Sequence, residues 1–301
     1  MNFPFLNSLW SLIRPVQAII SDSAKLEQKI FETEINKSYW LNKNSIDTSS
    51  VAKLYELSKL KDYGYSTYIW KFGKSGLDLD ELKMSLKDIF KAENLKNITI
   101  DISEVGGLSA SKSPIENYHS MQQFVEKECL RFFKVNEDDL QSNLAHKEIR
   151  IIHSEHTTDH FRVYGWSDKL FLSNGGGSHH FASAQYIAEK LSKSVPITGD
   201  LSLNYLDEKG LSSFIQKYSS LLIPESDFCY LSDNFELSGL DFVFYQAPFL
   251  PAGIVILFYK NHTIPDSLDS LLKNRFTDFN IELIKFFDFQ KNNTTFHKFK
   301  G

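Results

Sequence analysis

Apolar positions along this chain follow two periods, and the switches between them mark its elements. Residues 65–72, Tyr-Ser-Thr-Tyr-Ile-Trp-Lys-Phe, are rich in β-branched and aromatic residues and predict a strand. Asn-Ile-Thr-Ile-Asp-Ile at 97–102 alternates at period two and predicts another. Between them, Asp78 and Asp80 precede Leu82, Met84, Leu86, Ile89 and Phe90, an acidic first turn followed by helical spacing. Ser113 then Pro114 has the form of an N-cap with proline at the first helical position, which predicts a helix through Phe124, Val125, Cys129, Leu130 and Phe133. Gly106-Gly107-Leu-Ser-Ala-Ser reads as a flexible loop after a strand. The polar, acidic stretch 136–143 reads as a linker, dividing the chain into 1–145 and 146–301.

The second half opens on Ile149, Ile151 and Ile152, strand-like in content, and continues into a histidine-rich segment. Phe161–Tyr164 predicts a strand, Gly165–Asp168 a turn, and Lys169–Ser173 the returning strand. Phe181, Ala184, Ala188 and Leu191 then mark the buried face of a helix. Val195-Pro196-Ile197 resumes extended structure, and 211–223 looks helical. The aromatic-rich runs 240–246, 253–259 and 281–289 look like strands. The fold class expected is α+β, a mixed sheet with flanking helices.

Composition narrows the classes available. The 301 residues are 42% hydrophobic and 14% aromatic, ample for a core, so disorder is not expected. A net charge of -5 with scattered lysines offers no patch for nucleic acid or an anionic membrane. Cys129 and Cys229, far apart, form neither a disulfide framework nor a thiolate metal site and suit a reducing cytoplasm. The opening segment around Phe5, Leu6, Trp10 and Leu12 lacks the basic flank of a signal peptide and is interrupted by Arg14-Pro15, so it is expected to be a docking or core helix. No segment is apolar for long enough to span a bilayer.

Asn174-Gly175-Gly176-Gly177-Ser178 stands out for its chemistry, because a three-glycine turn runs into a helix. Glycines tolerate positive φ and close approach of a ligand, and the free N–H groups of the helix that follows attract anions. A phosphate is the expected guest. Gly176-Gly177-Ser178-His179-His180-Phe181-Ala182, with an aliphatic strand before it and Lys193-Ser194-Val195-Pro196-Ile197 after the helix, resembles the nucleotide-binding core of the ParB and sulfiredoxin superfamily over roughly residues 149–210. The resemblance implies that Gly176, Gly177, Ser178 and His179 line a phosphate cradle, that His180 stands where an arginine is usual, and that the guest is a nucleotide of the ATP or CTP class with Mg²⁺. Ser178 replaces the cysteine of sulfiredoxins, which excludes their sulfur chemistry. The DNA-binding region of ParB proteins has no counterpart after residue 210.

Histidines 153, 156, 160, 179 and 180 cluster in a chain with 9 in total, with Glu155 and Asp159 among them. Imidazoles beside carboxylates can bind a metal or exchange protons near pH 7. His153-Ser-Glu155-His156 lacks metalloprotease spacing, and a solvent-exposed loop is the alternative for His153 and His156. Asp159 and Glu155 are the candidate metal ligands, and His179, His180 and His160 the candidate catalytic groups. If the 160–173 segment forms a hairpin, His160 and Arg162 approach the glycine turn. Phe72-Gly73-Lys74-Ser75 lacks the earlier glycine of a P-loop and is expected to be a turn, and neither Ser178 nor Ser183 lies in Gly-x-Ser-x-Gly. Two functions are expected to compete: a cytoplasmic protein that binds a nucleotide or phosphorylated small molecule and transfers or hydrolyses its phosphate, and a non-enzymatic regulator that senses the nucleotide, or has lost it, and binds a protein partner.

Overall fold

A computed structural model describes residues 45–60, 67–70, 77–154, 156–225, 227, 241–247, 249–250, 253–263 and 266–301. In chain order its elements are α1 (Thr48–Ala52), β1 (Thr67–Trp70), α2 (Leu79–Ile89), β2 (Phe90–Asp101), β3 (Val105–Leu108), α3 (Met121–Glu128), α4 (Glu137–Leu144), α5 (Arg150–His153), β4 (His160–Tyr164) and β5 (Leu170–Ser173). There follow α6 (Ser178–Lys190), β6 (Pro196–Leu206), α7 (Glu208–Lys217), β7 (Tyr218–Pro224), β8 (Phe242–Tyr245), β9 (Ile254–Lys260), α8 (Asp266–Arg275), β10 (Thr277–Asp278), α9 (Phe279–Lys291) and α10 (Thr294–Lys300). The fold is α+β. No helix among the described residues is long and apolar enough to cross a membrane.

The described residues form two compact units woven from separate segments, the first from within 56–89 and 207–285, the second from within 45–55, 90–206 and 286–301. The expected division at 145/146 has no counterpart, because residues 90–206 stay within one unit across that position. The first unit carries an antiparallel sheet in the order β1-β8-β9-β7-β10. The second carries a mixed sheet in the order β2-β6-β4-β5-β3, in which β6 lies parallel to β4 and β3 parallel to β5. Phe161, Val163, Leu201 and Leu203 of this sheet and Phe181, Ala184 and Ala188 of α6 share one buried core.

The hairpin expected at 160–173 is present, with Phe161 opposite Leu172 and Val163 opposite Leu170. Other expectations are corrected. Ser113 caps nothing: α3 starts later, where Ser120 Oγ accepts from the Gln123 N–H at 3.1 Å. The stretch 136–143 is helical, because Asn136 caps Asp139 N at 2.8 Å and Leu140 anchors α4 in the core. Residues 150–153 form one helical turn rather than extended chain. The helix expected over 211–223 stops at Lys217, and the apolar run after it is the buried strand β7, an ambiguity inherent in short apolar runs.

Residues 281–289 belong to helix α9, whose Phe279, Leu283 and Phe286 are buried at helical spacing. Gly106 and Gly107 lie within strand β3, and Gly107 is required there because a Cβ would fall 2.4 Å from Ile46 O and 2.6 Å from the Phe171 ring. The opening segment, Phe72–Ser75, Glu155 and Cys229 lie outside the described residues.

Candidate functional site

β3 and β5 run parallel and release their loops at the same edge of the second unit's sheet. Asn174 binds those loops together. Its Oδ1 accepts from the N–H groups of Ser109 and Ala110, each at 3.2 Å, and its Nδ2 donates to Ala110 O at 2.9 Å and to Gly176 O at 3.0 Å. This buried amide therefore shapes the glycine turn and is occupied in doing so. The two loops, the end of α4 and the 148–150 segment enclose a cleft of about 630 Å³ that the glycine turn and the start of α6 line.

Of the three glycines only Gly177 uses the left-handed backbone open to all of them, with φ 70°, as the residue that caps α6. A Cβ on Gly177 would lie 2.6 Å from the Glu148 carbonyl, so the turn can pack on the 148–149 backbone only without a side chain. Gly176 is different: a Cβ there meets nothing nearer than 3.9 Å. The Gly175 N–H donates to Asp159 Oδ1 at 2.8 Å, whereas no described residue accepts from the N–H groups of Gly176, Gly177, Ser178, His179 or His180. These five amides belong to residues that line the cleft.

The remaining candidates divide sharply. His179 and His180 line the cleft. Burial holds the His180 imidazole below its ordinary pKa, assisted by His146, which stacks on it with ring centroids 3.6 Å apart, while Glu148 acts the other way. His180 Nδ1 donates to Asn143 Oδ1 at 3.0 Å. A neutral, stacked ring is not a substitute for arginine; the cationic side chains lining this cleft are Arg150 and Lys112. Arg150 Nη1 lies 2.7 Å from where a Gly175 Cβ would be.

His160 and Arg162 do not line this cleft. His160 faces a separate groove with Lys96 and Asp200 and accepts at Nε2 from Arg162 Nε at 2.9 Å. Asp159 is buried, which raises the pKa of its carboxyl against the Gly175 N–H and Arg150, and its oxygen holds the turn. Among the described residues no three His, Cys, Asp or Glu side chains come together as metal ligands; Glu155, the other carboxylate expected beside Asp159, lies outside them. His153 and His156 are exposed.

Sequence reasoning missed Arg150, Lys112, Ser111, Phe132 and Asn143, all of which line the cleft. The Ser-Ala-Ser-Lys run at 109–112 was the one local signal for part of this set. Cys129 also lines it, but burial pushes its thiol up to about 11, so it remains an uncharged small side chain.

A family model described as a family of unknown function, DUF6685, matches residues 95–295, well over half of the chain. The chain belongs to that family. The matched segment contains every residue that lines the cleft, so the cleft is built within the family's own region of the sequence. No curated protein and no solved structure matches the chain.

Proposed function

We propose that the cleft binds the phosphate of a phosphate ester, with a nucleotide as the ligand class that the ParB and sulfiredoxin resemblance favours. The observation that carries this reading is the run of five N–H groups, Gly176 to His180, that no described residue accepts from, on residues lining a cleft that also holds Arg150 and Lys112. Aligned amides at a helix start place partial positive charge toward an anion, and a guanidinium adds a fixed charge and a forked donor. Phosphate oxygens supply the acceptors these groups lack. Phe132, 70% exposed at the cleft, offers an apolar surface to the organic part of the ester.

Calorimetric titration of the full chain with inorganic phosphate, ATP and CTP, each with and without Mg²⁺, tests this reading. Gly176→Val is expected to keep the fold, because its Cβ meets nothing nearer than 3.9 Å, and to abolish binding by filling the approach to the amides. Arg150→Ala is expected to weaken binding by about tenfold, the loss of one charge-assisted contact. Unchanged affinity in both variants would place the ligand elsewhere.

A further inference from the structure

Ser178, the first residue of α6, stands at one end of a hydrogen-bonded chain whose direction follows from the chemistry of its members. Glu128 is held below the ordinary carboxylate pKa by the hydroxyls of Tyr118 and Ser113, so it is ionised and only accepts. Tyr118 donates to its Oε1, and Ser113 donates to its Oε2 at 2.9 Å. With its single proton directed at Glu128, Ser113 Oγ accepts from His179 Nε2, 3.0 Å away. A neutral imidazole protonated at Nε2 carries its lone pair at Nδ1. That nitrogen lies 3.5 Å from Ser178 Oγ, whose hydrogen points at Ser111 Oγ at 3.0 Å and reaches His179 by turning about the Cβ–Oγ bond alone. A separation of 3.5 Å is long for a resting hydrogen bond, and such contacts tighten when substrate fills a site.

We propose that Ser178 is the nucleophile of a phosphate-ester hydrolase, with His179 as its general base and Ser113 and Glu128 as positioning residues. The inference rests on the phosphate-ester reading of the cleft. In the first step Ser178 Oγ forms a bond to phosphorus as the bond from phosphorus to the ester oxygen breaks. The Ser178 proton passes to His179 Nδ1 and from there to the departing alkoxide. Water then gives its proton to Nδ1 and bonds to phosphorus, and Ser178 Oγ leaves and recovers that proton. The sum is ester plus water to alcohol plus inorganic phosphate, with no other reactant. The free amides from Gly176 onward are placed to hold the phosphoryl oxygens through both steps.

The charges around His179 suit this role. Burial favours its neutral form, Glu128 on α3 favours the imidazolium formed during the reaction, and Lys112 opposes it. His180 is the further titratable group coupled to it. The arrangement resembles the nucleophile, base and orienter logic of covalent catalysis, with a serine hydroxyl relaying between imidazole and carboxylate.

Diisopropyl fluorophosphate, added to the full chain and followed by tandem mass spectrometry, tests the nucleophile directly. One adduct at Ser178 is expected, absent in Ser178→Ala and formed about 100-fold more slowly in His179→Gln. In the wild type the rate should rise with pH through a midpoint below the ordinary histidine value of about 6.5 and then level. Glu128→Gln should lower that midpoint as well as the rate, a shift that a purely structural role would not produce. No adduct at Ser178 in the wild type, or equal rates in His179→Gln, overturns the proposal. Titration with inorganic phosphate separates the two readings. Phosphate binding with an inert Ser178 overturns only the nucleophile, whereas a labelled Ser178 without phosphate binding overturns the phosphate site and the hydrolase with it.

Discussion

Gly177 and Gly176 are neighbours in sequence and opposites in constraint. Gly177 combines φ 70° with a Cβ position 2.6 Å from the Glu148 carbonyl, while Gly176 has open space to 3.9 Å. Gly177→Ala is therefore expected to cost at least about 2 kcal/mol, the left-handed penalty plus displacement of the 148–149 backbone, whereas Gly176→Ala should change stability by less than about 0.5 kcal/mol. Urea denaturation of the two variants checks the contrast. Equal losses would mean that the turn's backbone differs from the one described. The glycine run was legible in the sequence as a turn, but which glycine bears the constraint was not, because that depends on Glu148, a residue distant in the chain.

Among the elements, the junction of β2 and β6 shows how a short cap links strand ends. Asp101 accepts from Ser103 N at 2.9 Å and from Val195 N at 2.9 Å, and its carboxylate also takes the Ser194 hydroxyl at 2.5 Å. Burial opposes ionisation, yet the hydroxyls of Ser103 and Ser194 and the N–H groups of Ser103 and Val195 bring the carboxyl down to about 2. A carboxylate with a depressed folded-state pKa contributes stability above its unfolded pKa of about 3.9 and loses it as pH falls toward the folded value. Stability should therefore fall between about pH 4 and pH 2 in the wild type, and less steeply in Asp101→Ala, which at pH 7 should already be about 1 kcal/mol less stable through loss of the cap. Denaturant midpoints measured across that range decide it, and identical slopes would remove Asp101 from the account.

The elements that sequence reasoning misassigned share a cause. Residues 281–289 combine aromatic content typical of strands with Leu283 and Phe286 at helical spacing, and burial of that face makes a helix. In α4, buried Leu140 and partly buried Leu144 seat on the core a helix whose composition suggests a linker. Local content was legible in both cases, and the packing partner that chose between outcomes was not.

At the scale of the whole molecule, the end of the chain completes the unit that holds the cleft. Asn293 donates to Gly165 O at 2.9 Å and to Ser167 O at 2.6 Å, in the turn between β4 and β5, and its own Oδ1 accepts from Phe296 N at 3.1 Å. Phe296 is buried in the same core as Phe161 and Phe181. Asn293→Ala should leave two buried carbonyls without their donor and cost about 2–3 kcal/mol in urea denaturation, with faster hydrogen exchange along β4 and β5. Unchanged exchange in those strands would show that the hairpin does not depend on this contact.

The α+β class, the 160–173 hairpin, the glycine turn into α6 and that helix's buried face could be read from the residues alone, because each follows from periods and turn residues within a few positions of one another. Long-range packing set the rest: 90–206 forms one unit with 45–55 and 286–301, His160 and Arg162 stand away from the turn, and Arg150, Lys112, Ser113 and Glu128 stand near it. Those residues carry no local pattern, since α3, α5 and the 109–113 loop reach α6 through sheet order and core packing, which couple positions tens of residues apart.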